Sequence, residues 1–113
     1  MSDHRNELEE YVAEKFQKIY KYARPTIGSG CTPIEKGDIK NPFFMIECKI
    51  RNTKSFSIKD EVWKELKILA SKDNLKEPLY IVQNVNKERL AIMNLDDWFS
   101  LFYEIIENRN KND

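Results

Sequence analysis

The chain has 113 residues, a single histidine (His4) and two cysteines (Cys31 and Cys48). That is too few soft ligands for a four-coordinate zinc centre, and His4 sits in a polar start expected to fray. Two cysteines do not build a disulfide framework. Cys48 alternates with Ile46 and Ile50, the pattern of a small buried hydrophobe. No run approaches the roughly 18 apolar residues of a membrane span, so no membrane partner is expected. The segment Met1–Glu7 is polar and has no signal-peptide core, which predicts a cytoplasmic location. Internal repeats and low-complexity tracts are missing. So is an excess of one charge: 19 basic and 19 acidic residues give net zero. That argues against a uniformly basic nucleic-acid-binding surface.

What is present describes one α/β domain over residues 1–113, 41% apolar and 34% charged. Charge is unevenly spread. Residues 1–35 carry −1, residues 36–76 carry +4 and residues 77–113 carry −3. Leu8, Val12, Phe16, Ile19 and Tyr20 recur at helical spacing and predict a helix over 6–22, ended by Arg24-Pro25. Residues 36–40 and 43–51 predict two strands joined as an antiparallel hairpin through Lys40-Asn41-Pro42. A helix over 58–73 follows, with Ser55 or Ser57 as N-cap and Val62, Leu66, Leu69 and Ala70 on its apolar face. Strands are predicted over 79–85 and 90–93. A last helix starts at a cap on Asp96 or Asp97 and runs to about Glu107. The order α-β-β-α-β-β-α predicts a mixed central sheet flanked by helices, with residues 1–5 and 108–113 as flexible ends.

The segment carrying the positive excess also carries the chemistry. Asp38 closes a short apolar stretch, and the strand after it contains Glu47-Cys48-Lys49. Strand side chains alternate, so Glu47 and Lys49 share one face while Ile46, Cys48 and Ile50 take the other. A carboxylate and an ammonium on one face of a buried strand are costly to place. Asp38 and Glu47 offer hard oxygens that suit Mg²⁺, with Mn²⁺ as a substitute. Lys49 suits a role beside a water and a phosphate. The bland alternative makes Asp38 a turn residue and pairs Glu47 with Lys49.

On these residues the chain resembles the PD-(D/E)XK nuclease superfamily, and within it the small Holliday junction resolvases of archaeal and phage type. The resemblance rests on Glu9 in the first helix, Gly28-Ser29-Gly30, Lys36-Gly37-Asp38, Ile46-Glu47-Cys48-Lys49, Glu77-Pro78-Leu79-Tyr80-Ile81-Val82 and the closing Asp96-Asp97-Trp98-Phe99 helix. It covers residues 7–103. The proline that leads the aspartate in the superfamily is replaced here by Gly37. The resemblance implies a restriction-endonuclease-like fold and a metal-dependent endonuclease that hydrolyses DNA phosphodiesters. It also implies metal ligation by Asp38, Glu47 and the backbone carbonyl of Cys48, and products with 5′-phosphate and 3′-hydroxyl ends. No organic cofactor is expected. A phage-like protein would act in the host-cell cytoplasm.

Glu9 is the candidate helix carboxylate that completes the site, with Glu7 and Glu10 as competitors. Ser29 and Gly30 would present a hydroxyl and backbone N–H groups to a phosphate. Lys36, Arg51, Lys54, Ser55, Ser57 and Lys64 are candidates for contact with the DNA backbone, and spacing does not separate Lys64 from Lys67. Trp63, Trp98, Phe99 and Phe102 are expected in the core or in a subunit contact. Cutting a four-way junction needs two symmetric nicks, which predicts a homodimer. A non-catalytic nucleic-acid- or protein-binding module on the same scaffold, and a nuclease for another DNA shape, are the alternatives.

Overall fold

The computed structural model describes residues 6–26, 37–73 and 76–111. Helix α1 spans Glu7–Phe16 and buries Leu8, Val12 and Ala13. Asn6 caps it, its side-chain oxygen accepting the Glu9 N–H at 2.8 Å. The helix stops well short of residue 22. Gln17 forms the C-cap, and its side-chain amide donates to the Ala23 carbonyl at 2.8 Å, drawing residues 18–22 into turns. Ile19, part of the predicted apolar stripe, is exposed as a result.

Strands β1 (Arg24–Pro25) and β2 (Ile39–Lys40) pair antiparallel. The predicted hairpin between residues 36–40 and 43–51 does not form, because β2 takes β1 as its partner. Asn41 explains the change. It is buried, and its amide donates to the carbonyls of Ile39 and Phe44 while its oxygen accepts the N–H groups of Phe43 and Phe44. Those backbone groups are then satisfied by a side chain instead of a ladder.

Strand β3 (Phe44–Ile50), helix α2 (Asp60–Lys72), strand β4 (Glu77–Gln83) and strand β5 (Arg89–Ile92) follow. β3 and β4 are parallel, with Glu47 opposite Tyr80, and β4 and β5 are antiparallel. Parallel neighbours need a long crossover, which α2 supplies. Its N-cap is Lys59, without a side-chain cap, and neither Ser55 nor Ser57 takes that place.

Alternation sorts the sheet residues into two cores. Ile39, Ile46, Cys48, Leu79 and Ile81 pack with Leu8, Val12 and Ala13 of α1. Met45, Tyr80 and Val82 pack with Leu66 and Ala70 of α2, and Trp63 lies partly buried against them. β4 is buried on both faces, as its near-continuous apolar run requires. Ile50, expected inward, is exposed at the end of β3. The architecture is mixed α/β, and one two-residue strand (β1) is added to the predicted order.

Helix α3 spans Leu95–Lys111, four residues beyond the predicted end, so residues 108–111 are helical instead of a flexible tail. Asn94 caps it, accepting the N–H groups of Asp96 and Asp97, which were the predicted caps. α3 buries no side chain, and Trp98, Phe99 and Phe102 are exposed, which removes the core alternative for these rings. Among the described residues no helix is long and apolar enough to cross a membrane.

Candidate active site

Asp38 is held against the outer edge of β3, the edge away from β4. Its N–H donates to the Ile46 carbonyl at 2.7 Å, and its side-chain Oδ2 accepts the Cys48 N–H at 2.7 Å. Gly37 makes this approach possible. It has φ +76°, and a Cβ there would stand 2.9 Å from Met45 Sδ and 3.2 Å from the Ile46 carbonyl oxygen. Both the conformation and the space demand glycine. Thr26 pins the same segment: its hydroxyl donates to the Gly37 carbonyl at 2.8 Å and its N–H to the Asp38 carbonyl at 2.9 Å. In a strand the N–H and C=O of one residue leave on the same side. The Cys48 carbonyl therefore faces the edge that Asp38 occupies.

Glu47 and Lys49 share a face of β3 and touch, with Nζ 3.3 Å from Oε2. The Lys49 side chain is 43% exposed and that of Glu47 28%. This pair lies at the rim of the sheet, so placing it costs far less than the buried-strand expectation implied. Glu9 of α1 completes the group. Burial raises its pKa first; the Asn6 backbone hydrogen bond opposes the rise, Glu47 adds to it and Lys49 reduces it. Asp38 is pushed up to about 7, mainly by burial, with the Cys48 hydrogen bond opposing and the charges of Glu47 and Glu9 adding. Burial drives the Cys48 thiol well above its ordinary range, with Asp38, Glu9 and Glu47 all adding, so the thiol is chemically quiet. The other two helix carboxylates do not join the group. Glu7 accepts from Gln83 at 3.1 Å, faces Lys87 at 3.5 Å and has a lowered pKa, chiefly through the Gln83 bond. Glu10 is exposed.

Among the described residues no three His, Cys, Asp or Glu side chains form a group that could hold a metal ion. A hexahydrated-type cation such as Mg²⁺ asks for less, since it keeps several waters and uses one or two carboxylates. Asp38, Glu47 and the outward Cys48 carbonyl supply hard oxygens of that kind. Two further facts fit a cation here: the charges of Glu47 and Glu9 add to the raised pKa of Asp38, and a lysine ammonium already serves as counter-ion to Glu47. The residues therefore fit the group.

Beyond Lys49, Arg51 continues the same alternation into a cavity of about 460 Å³ lined by Arg51, Thr53, Ser55, Phe56, Ser57 and Lys59. Two cations and three hydroxyls face it, and no carboxylate is among the described residues that line it. Arg51 donates to the Tyr80 hydroxyl at 3.3 Å, and neither Arg51 nor Lys59 has an ion-pair partner among the described residues. Such a lining suits a phosphate. Ser55 and Ser57 were singled out from the sequence, whereas Thr53 and Lys59 were not, although the hydroxyl-rich run 53–57 between a strand and a helix is the visible signal. Lys54 is exposed and contributes its carbonyl to Asn84. Lys64 is not brought to the site: it pairs with Asp60 at 2.9 Å on an exposed face of α2. Ser29, Gly30 and Lys36 lie outside the described residues. Comparison with protein-family models, with curated proteins and with solved structures gives no match to this chain.

Proposed function

We propose that this protein is a Mg²⁺-dependent DNA endonuclease with a restriction-endonuclease-like fold, acting as a homodimer on branched DNA, most naturally the four-way junction. The observation that carries the proposal is the meeting of Glu9, Asp38, Glu47 and Lys49 at one edge of β3, where burial first, and then neighbouring carboxylate charge, raises the pKa values of Asp38 and Glu9. Carboxylates that disfavour each other's charge invite a divalent cation. The resemblance to PD-(D/E)XK nucleases read from the sequence supports metal-binding and water-orienting roles for the same residues.

Asp38, Glu47 and the Cys48 carbonyl would hold the ion. When bound, it supplies positive charge that polarises a phosphoryl oxygen and acidifies a nearby water. Lys49 orients the attacking water and offsets the negative charge that grows on the phosphoryl group. Glu9 fixes the water network from the α1 side. Arg51, Lys59 and the hydroxyls of Ser55 and Ser57 hold an adjoining phosphate, so the scissile one meets the site in register. The water oxygen bonds to phosphorus, the bond to the 3′-oxygen breaks, and that oxygen takes up a proton. A 5′-phosphate and a 3′-hydroxyl result.

A second reading, a binding module without catalysis, is favoured by the Lys49–Glu47 contact and by the zero net charge. Mn²⁺ titration separates the two. The nuclease reading expects binding that Glu47→Gln removes, whereas no binding in the wild type supports the module. A panel of junction, flap, nicked and linear DNA in Mg²⁺ then tests the substrate: paired nicks in the junction are expected, and preference for a linear duplex would overturn the resolvase assignment.

A further inference from the structure

Helix α3 carries a continuous apolar ribbon that the other described residues leave uncovered. Leu95, Trp98, Phe99, Phe102, Tyr103 and Ile105 are each between 38% and 66% exposed. The rings already touch along the helix: Trp98 stacks on Phe102 with centroids 5.3 Å apart and planes 7° apart, and Phe99 lies 5.0 Å from Trp98. Monomeric proteins seldom leave such a ribbon in water, and a helix draws most of its stability from packing.

We infer that α3 pairs with α3 of a second copy of this chain, antiparallel about a twofold axis near Phe102. Two observations select that occupant. The first is area. Four aromatic side chains of roughly 150–250 Å² each, about half exposed, offer about 400 Å² before Leu95 and Ile105 are added, approaching the roughly 800 Å² per partner of a standard interface. The second is charge. The first turn of α3 holds Asp96 and Asp97, and the last holds Arg109 and Lys111. Antiparallel pairing sets Asp96 of one protomer beside Arg109 of its partner, whereas parallel pairing sets acid on acid. Rim charges of this kind add little affinity but fix direction. A twofold contact is self-complementary, as this one is.

The pairing stands on α3 alone. Its consequence for strand cutting, that two β3 sites are held in fixed relation, rests on the nuclease reading above. Sedimentation or light scattering at micromolar concentration is expected to give twice the 13.5 kDa chain mass. Phe102→Asp is expected to weaken self-association at least tenfold. Arg109→Glu should weaken it several-fold, and Asp96→Lys in the same chain should restore it. Because Phe102→Asp could act by melting α3, cross-linking supplies a second test in a Cys31→Ser background. Tyr103→Cys, near the axis, should form a disulfide between copies, whereas Asp97→Cys, far from it, should not. A monomeric wild type, a dimer indifferent to Phe102→Asp, or equal cross-linking at both positions overturns the inference. A monomer that still cuts DNA would remove the pairing and leave the active site intact. A dimer that neither binds metal nor cuts DNA would do the reverse.

Discussion

Asp38 is the residue on which site and stability meet. Its carboxyl ordinarily titrates near 3.8 and in the folded chain is pushed up to about 7. The folded protein therefore keeps a proton that the unfolded chain releases over that window. Stability of the metal-free protein falls as pH rises from about 4 to about 7, by at most about 4 kcal/mol from this group. Asp38→Asn keeps an oxygen for the Cys48 N–H and removes the charge. Thermal melts should find the variant more stable than wild type at pH 8 by roughly 1–3 kcal/mol, with the gap closing at pH 4. At pH 8, Mg²⁺ should raise the melting temperature of the wild type and leave that of Asp38→Asn unchanged. A gap that did not depend on pH would contradict the raised pKa that burial gives Asp38. Gly37 sets the approach of Asp38 to β3, and Gly37→Ala should cost roughly 1–3 kcal/mol in denaturant unfolding. The same substitution should perturb the Cys48 amide resonance, because Asp38 would lose its seat. That Glu47 and Lys49 share one face of β3 was legible in the sequence because a strand period places them. The choice of Glu9 over Glu7 was not legible. Glu7 is captured by Gln83 and Lys87, which lie far along the chain.

At the scale of elements, alternation and helical spacing identified β3, α2 and β4, since each has a buried face or a buried pair of faces, while β5 showed only as a short apolar run and buries no residue. The failures have local causes. Gln17 bends the chain back to Ala23 and ends α1 early, and Asn41 takes the backbone groups that a hairpin would have used. A side-chain hydrogen bond is invisible to a hydropathy pattern. Asn41→Ala should leave buried backbone groups without partners and destabilise the protein by roughly 2–4 kcal/mol, measured by urea unfolding. No effect would mean that the Asn41 network is not what separates β2 from β3. Strand β1, two residues long, carries no pattern of its own and exists because Lys40 and Ile39 need a partner.

Across the whole molecule the zero net charge conceals a division of labour. The middle third is basic and holds both the candidate site and the Arg51–Lys59 cavity, while the last third is acidic and holds α3. Composition alone weighed against a DNA partner, and the local arrangement explains how one can still be bound. Arg51→Ala with Lys59→Ala should weaken DNA binding to a similar degree across sequences and shapes. Its salt dependence should become shallower by about 1–2 in the log–log slope, measured by fluorescence anisotropy at several salt concentrations. Unchanged binding would place the DNA elsewhere. The uncovered ribbon on α3 was legible as an aromatic-rich helix, but only the fold shows that the described residues leave it bare.

The central claim is that Asp38, Glu47 and Lys49 form a metal-dependent hydrolytic site. The most direct measurement is cleavage of an end-labelled synthetic four-way junction in Mg²⁺ by wild type and by Asp38→Asn, purified side by side. The account predicts paired nicks with 5′-phosphate ends from the wild type, none in EDTA, and at least a hundredfold slower cutting by Asp38→Asn. Equal cleavage by the two proteins, or no cleavage of any DNA by a wild type shown to be folded, would contradict it.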